Sequence, residues 1–257
     1  MKNCCNALIV VLLTACACAS ALAESLDSKK MSLDFWGGYT TAGMNDVNSA
    51  IKEAASGGSV TEAKDGTLIA ADLLYKAFPG VPGLSIGPRI EYLFISSGKL
   101  SQDAPLMNIK EDFYVIPVMV GGRYILTENK DWSLSGSLFL GVGIGYGKSA
   151  VTTAADPSNQ TITKYSGSDT AGLLAAAARY RISDNTFLGV ELGYRMLSIS
   201  KMTIDSTSVS SLSSGGGGGG GGGYAPSRAP VVDPATGNNI KYDFSGMVLN
   251  IGIGFNF

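Results

Sequence analysis

The chain of 257 residues has no histidine. That removes the commonest general base, proton shuttle and metal ligand together. Cysteine is nearly as scarce. Cys4, Cys5, Cys16 and Cys18 are the four present, and all precede Ala23. Behind them no thiol remains to form a disulfide or act as a nucleophile. Charged residues make up only 16% of the chain, with a net charge of −2, so no basic field recruits nucleic acid. Past the N-terminal segment, no apolar run approaches the ~20 residues that a membrane helix needs. A membrane location would therefore require a closed sheet.

The N-terminal segment itself reads as a targeting signal. Lys2 is followed by an apolar run, residues 7–19, and Ala21-Leu22-Ala23 forms a small-x-small cleavage site before Glu24. This predicts a signal peptide over residues 1–23 and a short periplasmic lead over 24–30. Leu13-Thr14-Ala15-Cys16 offers a rival reading as a lipobox, with lipidation of Cys16 in place of cleavage after Ala23.

What the chain has in quantity is alternation. In Met247–Phe257, large apolar residues (Met247, Leu249, Ile251, Ile253, Phe255, Phe257) share one face of a strand, and mostly small or polar residues share the other. The pattern recurs over residues 31–41, 67–76, 84–97, 109–126, 132–146, 168–182, 186–200 and 240–257. Residues 132–146 show it most clearly, with Trp132 and Tyr146 at the two ends of the apolar face, where interfacial aromatics stand in membrane barrels. Eight segments with alternately long and short connections predict an all-β fold, an eight-stranded antiparallel up-and-down transmembrane β-barrel over residues 31–257. Residues 45–56 suit a short loop helix with Val47, Ile51 and Ala55 on one side. Residues 98–108 and 147–167 read as polar loops. Residues 201–239 form the longest interruption and hold the run Gly215–Gly223, so disorder is expected near 202–239.

The charged residues within strands all fall on the predicted inner face: Asp34, Asp72, Lys76, Arg89, Glu91, Arg123, Arg179, Arg181, Glu191 and Arg195. On the lipid face each Arg or Lys would cost on the order of 2–4 kcal/mol at mid-bilayer. Inside, opposite signs can pair, and an eight-stranded barrel is just wide enough for side chains to fill. The expectation is a salt-bridged plug that fixes register; the functional alternative is a narrow, gated ion path. Gly141 to Ser149 looks like a phosphate-binding loop, but Val142 stands where the motif's spacing fails. Inward glycines in a narrow lumen explain the run. No catalytic residue, metal site or cofactor is predicted.

With these elements placed, residues 31–257 resemble the small eight-stranded bacterial outer-membrane barrels of the OmpA/OmpX type. Leu249, Ile251, Ile253, Phe255 and Phe257 fit the terminal-strand signal that, by this resemblance, the barrel-assembly machinery reads. The resemblance implies residence in a Gram-negative outer membrane, with lipid and lipopolysaccharide around the barrel. It also weighs against catalysis, because enzymatic barrels of this kind generally rely on histidine. The expected role is structural or surface-interacting, with the surface ligand unspecified. The alternatives are a small passive channel and a soluble periplasmic or secreted β-barrel ligand carrier.

Overall fold

A strand whose side chains alternate between oil and water needs a different medium on each side. The computed structural model shows how this chain supplies both. It describes residues 31–54, 59–76, 80–95, 99–101, 107–153, 156–211, 229–232 and 237–257. The predicted signal peptide, the periplasmic lead and the run Gly215–Gly223 lie outside the described residues.

In chain order the elements are β1 (Met31–Thr41), α1 (Asn45–Ala54), β2 (Ser59–Thr61), β3 (Asp65–Tyr75), β4 (Leu84–Ile95), β5 (Lys99–Ser101), β6 (Met107–Glu128), β7 (Trp132–Thr153), β8 (Asp156–Ser183), β9 (Thr186–Ile199), β10 (Thr203–Ser211), β11 (Tyr242–Asp243) and β12 (Gly246–Asn256). Eight of them, β1, β3, β4, β6, β7, β8, β9 and β12, pair antiparallel in that order, and β12 pairs back onto β1. The seam runs from Ser32↔Asn256 to Thr40↔Val248. Backbone bonds between Met31 and Phe257 in both directions finish it, Phe257 N to Met31 O at 2.9 Å and Met31 N to Phe257 O at 3.2 Å. Closure leaves the barrel no free edge. The eight-stranded antiparallel barrel is as expected, with Met31 and Phe257 at one rim.

The outer face is apolar all round. Ile90, Val120, Leu140, Leu174, Leu192 and Ile251 are each at least half exposed, and the band continues through every barrel strand. Monomers in water rarely expose apolar patches beyond a few hundred Å², so the soluble-carrier reading falls here. Aromatics bound the band: Tyr75, Tyr124, Trp132 and Tyr180 at the rim with Met31 and Phe257, Tyr39, Tyr92, Tyr114, Tyr146 and Tyr194 at the other. Tyr92, Tyr114 and Tyr146, on three adjacent strands, stack in succession with centroids 6.0 and 4.9 Å apart. On β6, Tyr114 and Tyr124 lie ten residues apart. At ~3.4 Å per residue and ~40° tilt that is about 26 Å of height, matching the ~25 Å apolar band of outer-membrane barrels.

Three expectations are corrected beyond the upper tyrosines. Residues 147–167, read as a loop, continue β7 and β8 as a paired ladder up to Thr153↔Asp156. Their Ser and Thr content suggested a loop, but Val151, Thr152, Thr161, Ile162 and Thr163 are β-branched and fit a solvated hairpin. Residues 203–211, expected to be disordered, form β10 and pair with β8 from Thr203↔Ser166 to Ser211↔Asn159. Lys99–Ser101, placed in a polar loop, is β5 and joins β2 to β6. The last barrel strand also starts later than expected, at Gly246, with Tyr242–Asp243 pairing separately with β9. The result is a sheet in the order β2-β5-β6-β7-β8-β10, rising above the barrel as a crest.

Helix α1 follows β1. Met44, just before it, and Val47, Asn48 and Ile51 within it form one buried side, at the i, i+3, i+4, i+7 spacing of a single helix face. Asn48 is pinned at both ends of its amide: its Nδ2 donates to Ala63 O (2.9 Å), and Ala63 N donates to its Oδ1 (2.8 Å).

Candidate functional site

The interior is layered by depth. In the middle lie Asp34, Asp72, Glu91 and Glu191 against Arg89, Arg123, Arg179 and Arg195, four carboxylates facing four guanidiniums. Strand register brings them together. Asp34 pairs directly with Asp72, and Asp72 with Arg89. Two carboxylates opposite one another on adjacent strands would repel. Arg123 resolves this by donating Nη1 to Asp34 and Nη2 to Asp72 (2.8 Å).

Arg89 is the hub. Its Nε donates to Glu91 (2.8 Å), Nη1 lies 3.2 Å from Asp72, and Nη1 and Nη2 grip Glu191 at 3.1 and 2.8 Å. The two-pronged grip on Glu191 is the geometry that guanidinium offers and ammonium does not. Arg195 donates to Glu91 (3.1 Å) and to the Thr40 hydroxyl. Arg179 donates to Asp34 and lies over the Trp36 ring, 5.7 Å from its centroid.

Two of the ten expected lumen charges stand apart. Lys76 is exposed just past the end of β3, and Arg181 pairs with Glu128 at 3.2 Å in a partly exposed position. Both sit at the rim, where the tube opens, and not in the middle layer. Several participants carry no charge and were not singled out. Trp36 Nε1 donates to Asp72 (3.0 Å), Asn250 Nδ2 donates to Glu191 (2.8 Å), and the Phe139 ring lies under Arg89 at 5.5 Å. Each occupies an inward position of the same alternation, which was the available signal.

Above the charges the expectation of a polar lumen fails. Leu93, Ile95, Phe113, Leu197, Ile199 and Phe244 are almost wholly buried there, with Met44 and, from α1, Val47 and Ile51 packed into the same cluster. Phe113 meets Tyr242, Tyr165 and Phe244 at centroid distances of 5.7, 6.3 and 6.4 Å. The inward glycines of β7 make room for this layer: a Cβ on Gly143 would press on the Leu197 side chain, and one on Gly145 on Ile199 and Met202. Glu111 lies beyond Tyr114, above the spanning part of β6. Burial pushes its carboxyl up to about 7, offset in part by a hydrogen bond with Ser149.

Below the charges, at the rim with Met31 and Phe257, a cavity of about 60 Å³ opens. Arg89, Asp72, Glu191 and Arg195 have no exposed surface at all. A continuous water path through the barrel would have to wet them.

The terminal-strand residues keep their expected parity. Leu249, Ile251 and Ile253 point outward and are exposed, and Phe255 and Phe257 are half-buried at the rim.

Comparison with known proteins gives one family and several structural likenesses. The family described as outer membrane protein beta-barrel domain matches residues 9–257. No curated protein matches the sequence. Among solved structures, a major outer membrane protein of Thermus thermophilus is 14% identical with a TM-score of 0.45, covering 90% of this chain and 100% of its own. OprG of Pseudomonas aeruginosa is 14% identical with a TM-score of 0.40, over 90% and 97%. The attachment invasion locus protein Ail of Yersinia pestis is 12% identical with a TM-score of 0.38, over 90% and 100%.

Proposed function

Since this chain belongs to the outer membrane protein β-barrel family and resides in the bacterial outer membrane, we propose that it is a closed, non-catalytic barrel that acts through its outer crest. The observation that carries this reading is the division of the molecule. The membrane-embedded part is filled, and the paired backbone beyond the tyrosines is extensive. β8 runs 28 residues, whereas ~9–11 suffice to cross a bilayer. The remainder, with β10 and β5 added, holds a broad sheet outside, and rigid scaffolds of this sort commonly present binding surfaces.

Lipid and lipopolysaccharide are the barrel's surroundings; the surface ligand is open. The non-catalytic reading draws on the absence of histidine and on the engagement of all four lumen carboxylates by arginine. Leu249, Ile251, Ile253, Phe255 and Phe257 serve, in this reading, as the signal for the barrel-assembly machinery. The lumen charge network has a structural role, holding register from within.

Planar-bilayer recording tests the closed lumen. Purified, folded protein should add no discrete conductance steps to the membrane. Reproducible unitary steps would overturn the reading in favour of a small passive channel.

A further inference from the structure

On the outside of the barrel, the foot of the crest carries lysines just beyond the upper tyrosines. Tyr146 on β7 stands opposite Tyr114 on β6 and Ser166 on β8. Two residues further from the membrane, on the same face of each strand, Lys148 stands opposite Asp112 on one side and Lys164 on the other. At ~3.4 Å per residue and ~40° tilt, that step raises Lys148 about 5 Å above Tyr146. Lys148 and Lys164 are both exposed.

The neighbouring carboxylates are otherwise engaged. Asp112 pairs with Lys110 at 3.1 Å, and Asp205, at the bulge of β10, accepts the Ser166 hydroxyl at 2.9 Å. Lys148 and Lys164 have neither an ion pair nor a hydrogen bond among the described residues. Like charges directly opposite on adjacent strands oppose the pairing. An anion held between them turns that repulsion into two attractions.

Position selects the anion. Directly below Lys148 on the same face of β7 come Tyr146 and then Ile144, Val142 and Leu140, the last three exposed on the apolar band. A ligand that meets the lysines from outside therefore has an oily wall beneath it. Acyl chains fit the wall, and a phosphate fits the ammonium pair, since lysine binds phosphate as a point charge. The lysine stems can also lie along the apolar surface with their charged ends in the polar layer.

We propose that Lys148 and Lys164 form a docking site for the phosphorylated headgroup of an outer-leaflet glycolipid. The site rests on the outward crest proposed above. Because lipid binding and conductance are read separately, it can fail while the closed lumen stands.

The test titrates the folded protein in dodecyl maltoside micelles with bisphosphorylated lipid A, with its dephosphorylated form and with inorganic phosphate, and counts bound lipid by native mass spectrometry. The bisphosphorylated lipid should bind saturably and roughly twentyfold more tightly than the dephosphorylated one, the scale of two lysines at an anionic membrane surface. Lys148→Gln or Lys164→Gln alone should weaken it about fivefold, and the two together should abolish the preference. Lys76→Gln with Lys130→Gln, at the opposite rim, should leave it unchanged. All variants should keep the wild-type heat-modifiable gel migration, because these lysines are exposed. Equal affinity for the two lipids would overturn the proposal, as would a phosphate preference that survives the double substitution. Displacement of the lipid by equimolar inorganic phosphate would overturn it too, marking a free-anion site.

Discussion

Removing the hub of the lumen network gives the sharpest test of how the barrel holds itself together. Arg89 has no exposed surface and serves Asp72, Glu91 and Glu191 at once. In Arg89→Met the other bonds survive: Asp72 keeps Arg123 and Trp36, Glu91 keeps Arg195, and Glu191 keeps the amide of Asn250 but no arginine among these contacts. The layer goes from four against four to three cations against four anions, with the uncompensated charge centred on Glu191. Losing one partner of a buried ion pair costs about 3–5 kcal/mol, chiefly because the other charge is stranded. Adding Glu191→Gln to Arg89→Met removes the stranded charge, keeps a hydrogen-bonding group for Asn250, and restores balance at three against three. The double variant should therefore recover most of the loss. Urea titration of protein folded into lipid vesicles, read by tryptophan fluorescence, measures both variants, and the double-mutant cycle isolates the coupling. An Arg89→Met barrel within about 1 kcal/mol of wild type would refute the argument, since that is the scale of a solvent-exposed pair. A double variant no better than the single one would refute it equally.

Val120, 65% exposed at the middle of the apolar band, should tolerate no charge: Val120→Arg is expected to cost about 2–4 kcal/mol in the same vesicle assay, and an unchanged urea midpoint would show that this face does not meet hydrocarbon. Gly145 sits under Ile199 and Met202, so Gly145→Val should overpack the upper layer and cost about 1–3 kcal/mol; a barrel as stable as wild type would mean that layer has slack. Glu111 sets a pH dependence above the membrane. Its folded carboxyl titrates near 7 against an ordinary 4.5, so the crest gains stability as pH falls from about 7 towards 4.5 and loses it as pH rises through 7. Backbone hydrogen exchange in residues 107–113 and 147–153, corrected for intrinsic rate, should be slower at pH 5 than at pH 8, and Glu111→Gln should flatten the difference; equal protection in the wild type at both values would count against the buried carboxyl.

How much of this arrangement is legible in the residue pattern follows from what alternation encodes. Parity along a strand assigns a face, and it assigned faces well: Asp34, Arg89 and Glu191 point inward, and Leu140, Leu174 and Ile251 point outward. The band between aromatic rims was legible for the same reason, as was the first strand, whose bounds Met31–Thr41 agree with expectation. Parity carries no depth, however. Lys76 and Arg181 share the inward face with Arg89 yet lie at the mouth, and only the tilt and stagger of the closed sheet separate them. Composition misled where its usual meaning depends on context. Ser and Thr in residues 147–167 and 203–211 signal loops when isolated, but facing a paired neighbour in water they make serviceable strands.

The layering of the lumen shows why depth matters more than face for what the barrel can do. Segments apolar on both sides, such as Leu93 and Ile95 beside Tyr92 and Phe94, mark strand ends that meet lipid on one side and other side chains on the other. They lie above the charges because α1 folds back over the same opening and buries Met44, Val47 and Ile51 there. A lumen polar along its whole height could fill with water and leave its ion pairs weak and exchangeable. Apolar packing above excludes water from the charge layer, which strengthens every pair within it and also makes any unpaired member costly. The same dry cap therefore enforces the four-against-four balance beneath it.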